Sequence, residues 1–190
     1  MNRQPNILFL LSDQHSYRCF SYLDPNGEGE PVHTPTLDGL AAKATVFHQT
    51  YCQVAICTAS RICMLTGLSP MRSSGWTNWS YLKPGNQTLP ETFAAAGYTT
   101  CLVGKMHLGG NRQFVGFQHR PYGDLTGNTG HQVEPLAAIA DERAFVRHGW
   151  LRNPGVTMIP ESLLQEQVVV RETVAFLREQ HHACPDQPWL

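Results

Sequence analysis

Residues 5–14 carry the sequence PNILFLLSDQ, an apolar run that ends in three polar residues. The five apolar residues at 7–11 have the length of a strand, and their lack of alternation predicts burial on both faces. Strands with that pattern lie in the interior of parallel sheets. The segment therefore predicts a central parallel strand with Asp13 and Gln14 at its carboxyl end.

Helix and strand patterns alternate along the rest of the chain. Residues 34–44 predict a helix, and residues 45–51 predict a strand because they are largely β-branched and aromatic. Later patterns predict helices at about 60–66, 88–97 and 161–179, a strand at 98–103, and little regular structure over 108–160. This alternation predicts an α/β fold with a mainly parallel sheet.

Composition and charge exclude several classes of function. The 190 residues are 42% hydrophobic, which suits one domain or part of a larger one. A net charge of −1, with 15% charged residues, gives no basic surface for nucleic acid. The apolar run at 7–11 is too short for a membrane span or a signal peptide, so we expect no membrane partner and a cytoplasmic location.

The six cysteines show no C-x-x-C pair, which argues against a structural zinc site. We expect most of them to be reduced and to act as small buried hydrophobic residues. Cys57 differs from the others, because it precedes Arg61 by four residues at the predicted start of a helix. A nucleophile that acts on an anion has a use for both features.

Ligands of open α/β sheets bind at the carboxyl ends of the strands. Polar residues occur at three such predicted ends, namely Asp13 with Gln14, Cys57, and Lys105 with His107. Taken singly, each has an ordinary structural explanation as a turn residue, a core thiol, a solvated cation or a hydrogen-bonded histidine. Their joint position predicts a site for a dianionic group and a hard metal ion.

Three motifs carry a family resemblance. CTASR at 57–61 resembles the maturation signature of the formylglycine-dependent sulfatases: Cys or Ser, any residue, Pro or Ala, any residue, Arg. PNILFLLSDQ resembles the first strand and first metal ligand of that family, and GYTTCLVGKMHLGG at 97–110 resembles its lysine and histidine motif. The resemblance covers about residues 5–110. It implies the alkaline-phosphatase-like sulfatase fold, with helices on both faces of the parallel sheet.

The resemblance also implies a mechanism of sulfate ester hydrolysis. A maturation enzyme oxidises Cys57 to formylglycine, whose aldehyde hydrates to a diol. One hydroxyl attacks the sulfur of the ester and displaces the alcohol, which gives a covalent sulfo-enzyme. The second hydroxyl then loses its proton, the aldehyde reforms and inorganic sulfate is expelled. In this scheme Arg61 holds the diol, Lys105 binds the sulfate and His107 contacts the diol. The substrate is a small-molecule or carbohydrate sulfate ester.

A divalent metal ion is implied as well, bound by Asp13, Gln14 and the modified Cys57. Oxygen ligands favour a hard ion, so calcium is expected first, with magnesium or manganese as alternatives. Many relatives have a second aspartate where this chain has Gln14, so we expect weaker metal binding or a different ion. The best-known signature has proline where this chain has Ala59, which leaves the identity of the maturation enzyme open.

We expect residues 1–190 to be the N-terminal part of a sulfatase catalytic domain, because DQPWL at 186–190 resembles the start of another strand. Further metal ligands are then expected later in the protein, and the isolated 190 residues are expected to be inactive. Two rivals stay open: a phosphonate or phosphate monoester hydrolase of the same superfamily, and a non-catalytic fragment. A cysteine phosphatase is excluded, since Cys63 stands where that class needs an arginine, six residues after the nucleophile.

Overall fold

The computed structural model describes residues 4–22, 29–123 and 160–190. The chain divides into two compact units, one made of Met1–Leu8 with Gln53–Leu190 and the other of Phe9–Cys52. The elements are helices α1 (Pro35–Ala41), α2 (Cys57–Thr66), α3 (Pro70–Ser73) and α4 (Leu89–Ala95), strands β1 (Cys101–Val103) and β2 (His119–Tyr122), a 3-10 turn (Glu161–Leu163) and helix α5 (Gln165–Ala183).

Strands β1 and β2 are parallel, which confirms the predicted parallel arrangement and the predicted strand before Lys105. Residues 188–190 run parallel to the other edge of β1: Thr99 N donates to Pro188 O at 2.8 Å and Cys101 N donates to Leu190 O at 2.9 Å. Ile7 N in turn donates to Trp189 O at 2.8 Å. Four extended segments therefore lie side by side, and the expectation that residues 186–190 start a strand beside this sheet is supported.

Two predicted strands are not formed. Residues 7–11 do not form a strand, and Leu8, Phe9, Leu10 and Leu11 are 53%, 59%, 75% and 48% exposed. Residues 45–51 likewise form no strand; they bend at residues 48 and 49, and Phe47 and Tyr51 are exposed. A strand requires a hydrogen-bonded neighbour. Within the described residues, the segment at 7–11 has such a neighbour only at Ile7, whose amide donates to the carbonyl of Trp189. The amide of Trp189 donates to Asn6 Oδ1.

The predicted helices are all present. α4 has the predicted capping box, in which Thr88 Oγ1 accepts from Glu91 N and Thr88 N donates to the Glu91 carboxylate. α2 ends at Gly67 in the left-handed conformation, as predicted, but begins three residues earlier, at Cys57. The segment at 108–160, which was predicted to have little regular structure, contains the four-residue strand β2, and its residues 124–159 lie outside the described part of the chain.

The core of the larger unit lies between α2 and the segment after β1. Its buried members are Ile62, Leu65, Leu82, Met106, Leu108 and Val115. Ile62 and Leu65 lie three residues apart on one face of α2, so this face packs on Met106 and Leu108. That contact fixes the beginning of α2 relative to the segment that carries Lys105 and His107.

The smaller unit has a polar network of its own around the start of α1. Ser21 and Thr34 exchange hydrogen bonds of 2.8 Å between their backbone amides and hydroxyls. Both hydroxyls also donate to Asp38, Ser21 at 2.7 Å and Thr34 at 3.1 Å. The network joins α1 to the segment that follows Asp13 and Gln14 in the sequence.

Candidate functional site

Cys57 is the first residue of α2, which places its thiol at a helix N-terminus. The residue before it, Ile56, is extended and supplies no side-chain cap. The amide of Thr58 instead donates to Oδ1 of Asn78 at 3.2 Å, so a loop twenty residues further along provides a cap for this helix. The Cys57 amide is another amide of the first turn of α2, a position that favours anions.

Lys105 and His107 follow β1 in a segment whose alternate residues serve different purposes. Met106 and Leu108 are buried in the core, and Lys105 and His107 are the residues that alternate with them. The ammonium nitrogen of Lys105 lies 3.8 Å from the sulfur of Cys57. A cation and a nucleophilic atom 48 residues apart in sequence are thus brought into contact.

Two side chains of α2 hold this segment by its backbone. Nη1 of Arg61, a residue only 6% exposed, donates to the carbonyl of Lys105 at 2.7 Å. The hydroxyl of Thr58, which is completely buried, donates to the carbonyl of His107 at 2.6 Å. Arg61 therefore pairs with the Lys105 backbone in addition to any role it has toward residue 57. Arg61 lies one helical turn after Cys57, so the Arg61–Lys105 hydrogen bond and the Cys57–Lys105 contact involve the same lysine.

The structure thus brings together four of the six predicted site residues: Cys57, Arg61, Lys105 and His107. One part of the prediction is wrong, because Cys57 does not follow a strand; residues 45–51 form none, and the start of α2 places the thiol instead. Sequence reasoning missed Thr58 and Asn78. Thr58 occupies a position of the signature that accepts any residue, and a single loop asparagine carries no pattern, so no sequence signal marked either one.

Asp13 and Gln14 belong to the smaller unit, where they form a turn, with Gln14 in the left-handed region at φ 55°. Their carboxylate and amide oxygens are donors that suit a hard divalent cation. Within residues 4–22, 29–123 and 160–190, no group of three His, Cys, Asp or Glu residues is placed to hold a metal ion. A shared metal site of Asp13, Gln14 and Cys57 remains a prediction.

The other thiols differ from Cys57 in their surroundings. Among the described residues no disulfide joins any of the six cysteines. Cys63 is buried with its sulfur 3.8 Å from the hydroxyl of Ser73. Burial raises the pKa of the Cys101 thiol from 9.0 to about 12, which keeps it protonated and unreactive at neutral pH. Cys57 is the half-buried thiol that lies beside a lysine at a helix N-terminus.

A comparison with protein families shows which family this chain belongs to. The model of the family described as Sulfatase matches residues 5–139, which include the Cys57, Lys105 and Asp13 motifs. The chain belongs to the sulfatase family. The resemblance to the sulfatases that the three sequence motifs indicated is therefore confirmed.

Individual sulfatases match over part of the chain. The choline-sulfatase of Rhizobium meliloti is 32% identical over 122 residues, which are 64% of this chain and 23% of that protein. A solved structure described as a complex with its substrate D-glucosamine-2-N,6-O-disulfate is 32% identical with a TM-score of 0.57, over 67% of this chain and 24% of the other. The chain thus spans about a quarter of the length of these two relatives.

The phosphonate monoester hydrolase of Agrobacterium radiobacter matches over more of the fold. Its structure aligns with 98% of this chain and 40% of its own length, with a TM-score of 0.72 and 22% identity. At that identity the likeness concerns the fold alone. It confirms the α/β architecture expected for an alkaline-phosphatase-like sulfatase.

Of the other polar and aromatic residues, Arg112 has structural contacts, whereas two tryptophans are exposed. Arg112 forms an ion pair with Glu91 at 2.7 Å and donates to the carbonyls of Lys83 and Asn86. Trp76 and Trp79 are 52% and 79% exposed on the loop that carries Asn78.

In the described ranges, no helix combines the length and apolar character needed to cross a membrane.

Proposed function

We propose that this protein hydrolyses sulfate esters, with formylglycine at position 57 as the reactive group. The observation that carries the proposal is the 3.8 Å contact between Lys105 Nζ and Cys57 Sγ at the start of α2. Family membership supports the same reaction, since sulfate ester hydrolysis is the chemistry named for the related choline-sulfatase.

The chain's own residues provide an anion site around position 57. The start of α2 places the positive end of the helix dipole near a group bound at Cys57. The Lys105 ammonium adds a full positive charge beside the same atom. A sulfate group bound there places an oxygen on the ammonium at the positive end of the helix dipole, which holds its sulfur near residue 57.

Formylglycine supplies the nucleophile that a cysteine cannot, a hydroxyl of an aldehyde hydrate. Thr58 and Arg61 hold the Lys105–His107 segment by its carbonyls, so the lysine and histidine are positioned before substrate binds. His107 is 9% exposed, which keeps its ring largely screened from water. We propose that His107 contacts the hydrate and that Lys105 binds the sulfate.

We also propose that Asp13 and Gln14 bind a divalent metal ion, calcium before magnesium or manganese. A divalent ion supplies charge that neutralises sulfate oxygens and lowers the pKa of a bound hydroxyl. Two protein oxygens are too few for calcium, which takes six or more, so we expect further ligands elsewhere in the intact protein.

For the substrate we propose a carbohydrate sulfate or a small-molecule sulfate ester. The support is chemical kinship: one matching structure is described with a disulfated glucosamine as its substrate, and another relative is named for choline sulfate. The exposed Trp76 and Trp79 present flat apolar faces of the kind that stack on sugar rings. A maturation enzyme that oxidises Cys57 is the expected protein partner.

The test is to express the intact protein with a formylglycine-generating enzyme and to assay 4-nitrophenyl sulfate and a 4-nitrophenyl phosphonate ester in parallel. Sulfate should be hydrolysed faster, and Cys57→Ala should reduce the rate by about a thousandfold or more. Cys184→Ala, at an exposed thiol, is the matched control and should keep the parental rate. Faster hydrolysis of the phosphonate would replace this function with the rival one.

A further inference from the structure

The Thr58 side chain joins three separate parts of the larger unit. It is completely buried, and its hydroxyl donates to the carbonyl of His107 at 2.6 Å, with the carbonyl of Asn78 at 3.4 Å. Its backbone amide donates to Asn78 Oδ1 at 3.2 Å. Thr58 directly follows Cys57 in the chain, so these hydrogen bonds hold the residue next to the proposed reactive position.

His107 has an unusual backbone conformation, with φ at 53°, in the left-handed region that residues other than glycine seldom occupy. Such a conformation persists when neighbouring contacts specify it. The short hydrogen bond from Thr58 is one of these contacts, because it fixes the direction of the His107 carbonyl. The bond from Arg61 fixes the Lys105 carbonyl two residues earlier.

We propose that Thr58, capped by Asn78, is a positioning residue that sets the placement of Lys105 and His107 relative to Cys57. With both α2 bonds in place, the segment is attached at two alternate carbonyls and cannot rotate about either one. Without the Thr58 bond only the attachment at Lys105 O remains, so the segment can rotate about that point, which moves the Lys105 side chain away from Cys57 as well as freeing His107. The inference rests on the proposed function for the roles of Lys105 and His107, but its geometry is independent of that function.

The same fold contains a matched structural control. Thr88 is 1% exposed, and its hydroxyl donates at 2.6 Å to the carbonyl of Val115, another residue with positive φ, 44°. Thr58 and Thr88 therefore make the same kind of buried bond to the same kind of backbone. The difference is that Thr88 caps α4, whereas Thr58 adjoins Cys57. A purely structural role predicts equal consequences for the two.

The experiment uses o-phthalaldehyde on the intact protein made without maturation, so that residue 57 keeps its thiol. This reagent condenses with a thiol and a primary amine that lie close together, with loss of water, to give a fluorescent isoindole. The Cys57–Lys105 pair satisfies that requirement. Cys57→Ser and Lys105→Arg should each abolish the product, which peptide mass spectrometry assigns to this pair.

In Thr58→Val the yield of the Cys57–Lys105 isoindole should fall about tenfold, the factor expected for one buried hydrogen bond. Thr58→Ser, which keeps the hydroxyl, should restore the parental yield. Thr88→Val should also keep it, although its unfolding midpoint falls comparably. Asn78→Ala, at a solvent-exposed residue outside the 57–61 signature, should fold normally and lower the yield several-fold.

Parental isoindole yield in folded Thr58→Val, or equal losses in Thr58→Val and Thr88→Val, would overturn the proposal. If Thr58→Val does not fold, Asn78→Ala decides the matter, with an unchanged yield counting against it. The assay needs no metal, substrate or formylglycine. A protein that gives the predicted yields but hydrolyses no sulfate ester would therefore refute the proposed function alone. In the matured enzyme, the same order of variants is expected for kcat/KM on the sulfate ester, with rescue by Thr58→Ser.

Discussion

The guanidinium of Arg61 donates to the backbone carbonyl of Lys105 at 2.7 Å, while the Lys105 ammonium lies 3.8 Å from the Cys57 sulfur. The first and last residues of the CTASR signature are thus both joined to one lysine, through its backbone and its side chain. This arrangement explains why the arginine stands one helical turn after the cysteine. That spacing places both on the face of α2 that meets the segment after β1.

Replacing Arg61 should therefore weaken the fold as well as the site. Arg61→Met keeps the apolar stem but leaves the Lys105 carbonyl without this donor, which costs about 1.5–3 kcal/mol for a hydrogen bond from a charged group. Urea denaturation of the intact protein measures the loss. Arg72→Met, at an exposed position on α3, is the control and should change the free energy of unfolding by less than about 0.5 kcal/mol. Equal stability of both variants would contradict the assigned hydrogen bond.

Cys57 should be the one cysteine of six that is converted to an aldehyde when the protein is made with a competent maturation enzyme. It is the only one that matches the Cys-x-Ala-x-Arg spacing. Peptide mass spectrometry of the tryptic fragments measures conversion directly, and Cys63, on the same helix, serves as the internal control. Unmodified thiol at position 57, in a host shown to mature signatures with alanine at the third position, would reject this prediction.

The helices could be predicted from the sequence because their signals are local. The capping box of Thr88 and Glu91 and the stop at Gly67 involve residues within a turn or two of each other. The strands at 7–11 and 45–51 could not be predicted from apolar content, since pairing is decided by distant residues. Ile7 finds its described partner at Trp189, about as far along the chain as possible.

The chemical residues of the site were predictable for a similar reason. Cys57, Arg61, Lys105 and His107 occur in motifs whose spacing is visible in the sequence. Thr58 and Asn78 were not predictable, because their importance lies in a hydrogen bond between segments 20 residues apart and another across 49 residues. Only the fold brings those atoms together.

Metal binding should depend on Asp13 and respond to charge at Gln14. Asp13→Ala in the matured intact protein should abolish detectable calcium binding and activity, because it removes the one carboxylate assigned to the ion. Gln14→Asp should tighten binding, since it adds a negative charge beside a divalent cation. Isothermal titration with calcium measures both effects, and Gln14→Ala separates loss of the ligand from gain of charge. Unchanged affinity in all three variants would mean that the metal site lies elsewhere.

Gly116 should tolerate no side chain. It has φ of 98°, and a Cβ there would lie 2.8 Å from the Glu91 amide and 2.9 Å from Thr88 Oγ1, with Glu91 Cγ closer still. Gly116→Ala should therefore disrupt the capping box of α4 and lower the free energy of unfolding by about 3 kcal/mol or more. Gly85 is the matched control, with φ of 84° and open space around its Cβ, so Gly85→Ala should cost only the backbone strain, about 1–2 kcal/mol. Equal losses in denaturant titrations would show that crowding at Gly116 is unimportant.

The stability of the fold should decline in alkaline solution through Cys101. Burial raises the pKa of this thiol from 9.0 to about 12, so the folded state holds its proton more tightly than the unfolded chain does. The contribution is fully present below pH 9 and is lost as the pH rises toward 12, since only the unfolded chain then gains stability by ionising. Burial also raises the pKa of Tyr122, against a smaller lowering by Arg171, which adds a decline of the same sign above pH 10.

Cys101→Val keeps an apolar side chain in β1 and should flatten the decline between pH 9 and 10, leaving the later part that Tyr122 causes. Urea midpoints measured across this range decide the matter, with Cys184→Val as the exposed control. A Cys101→Val profile as steep as the parental one would assign the alkaline loss to other groups.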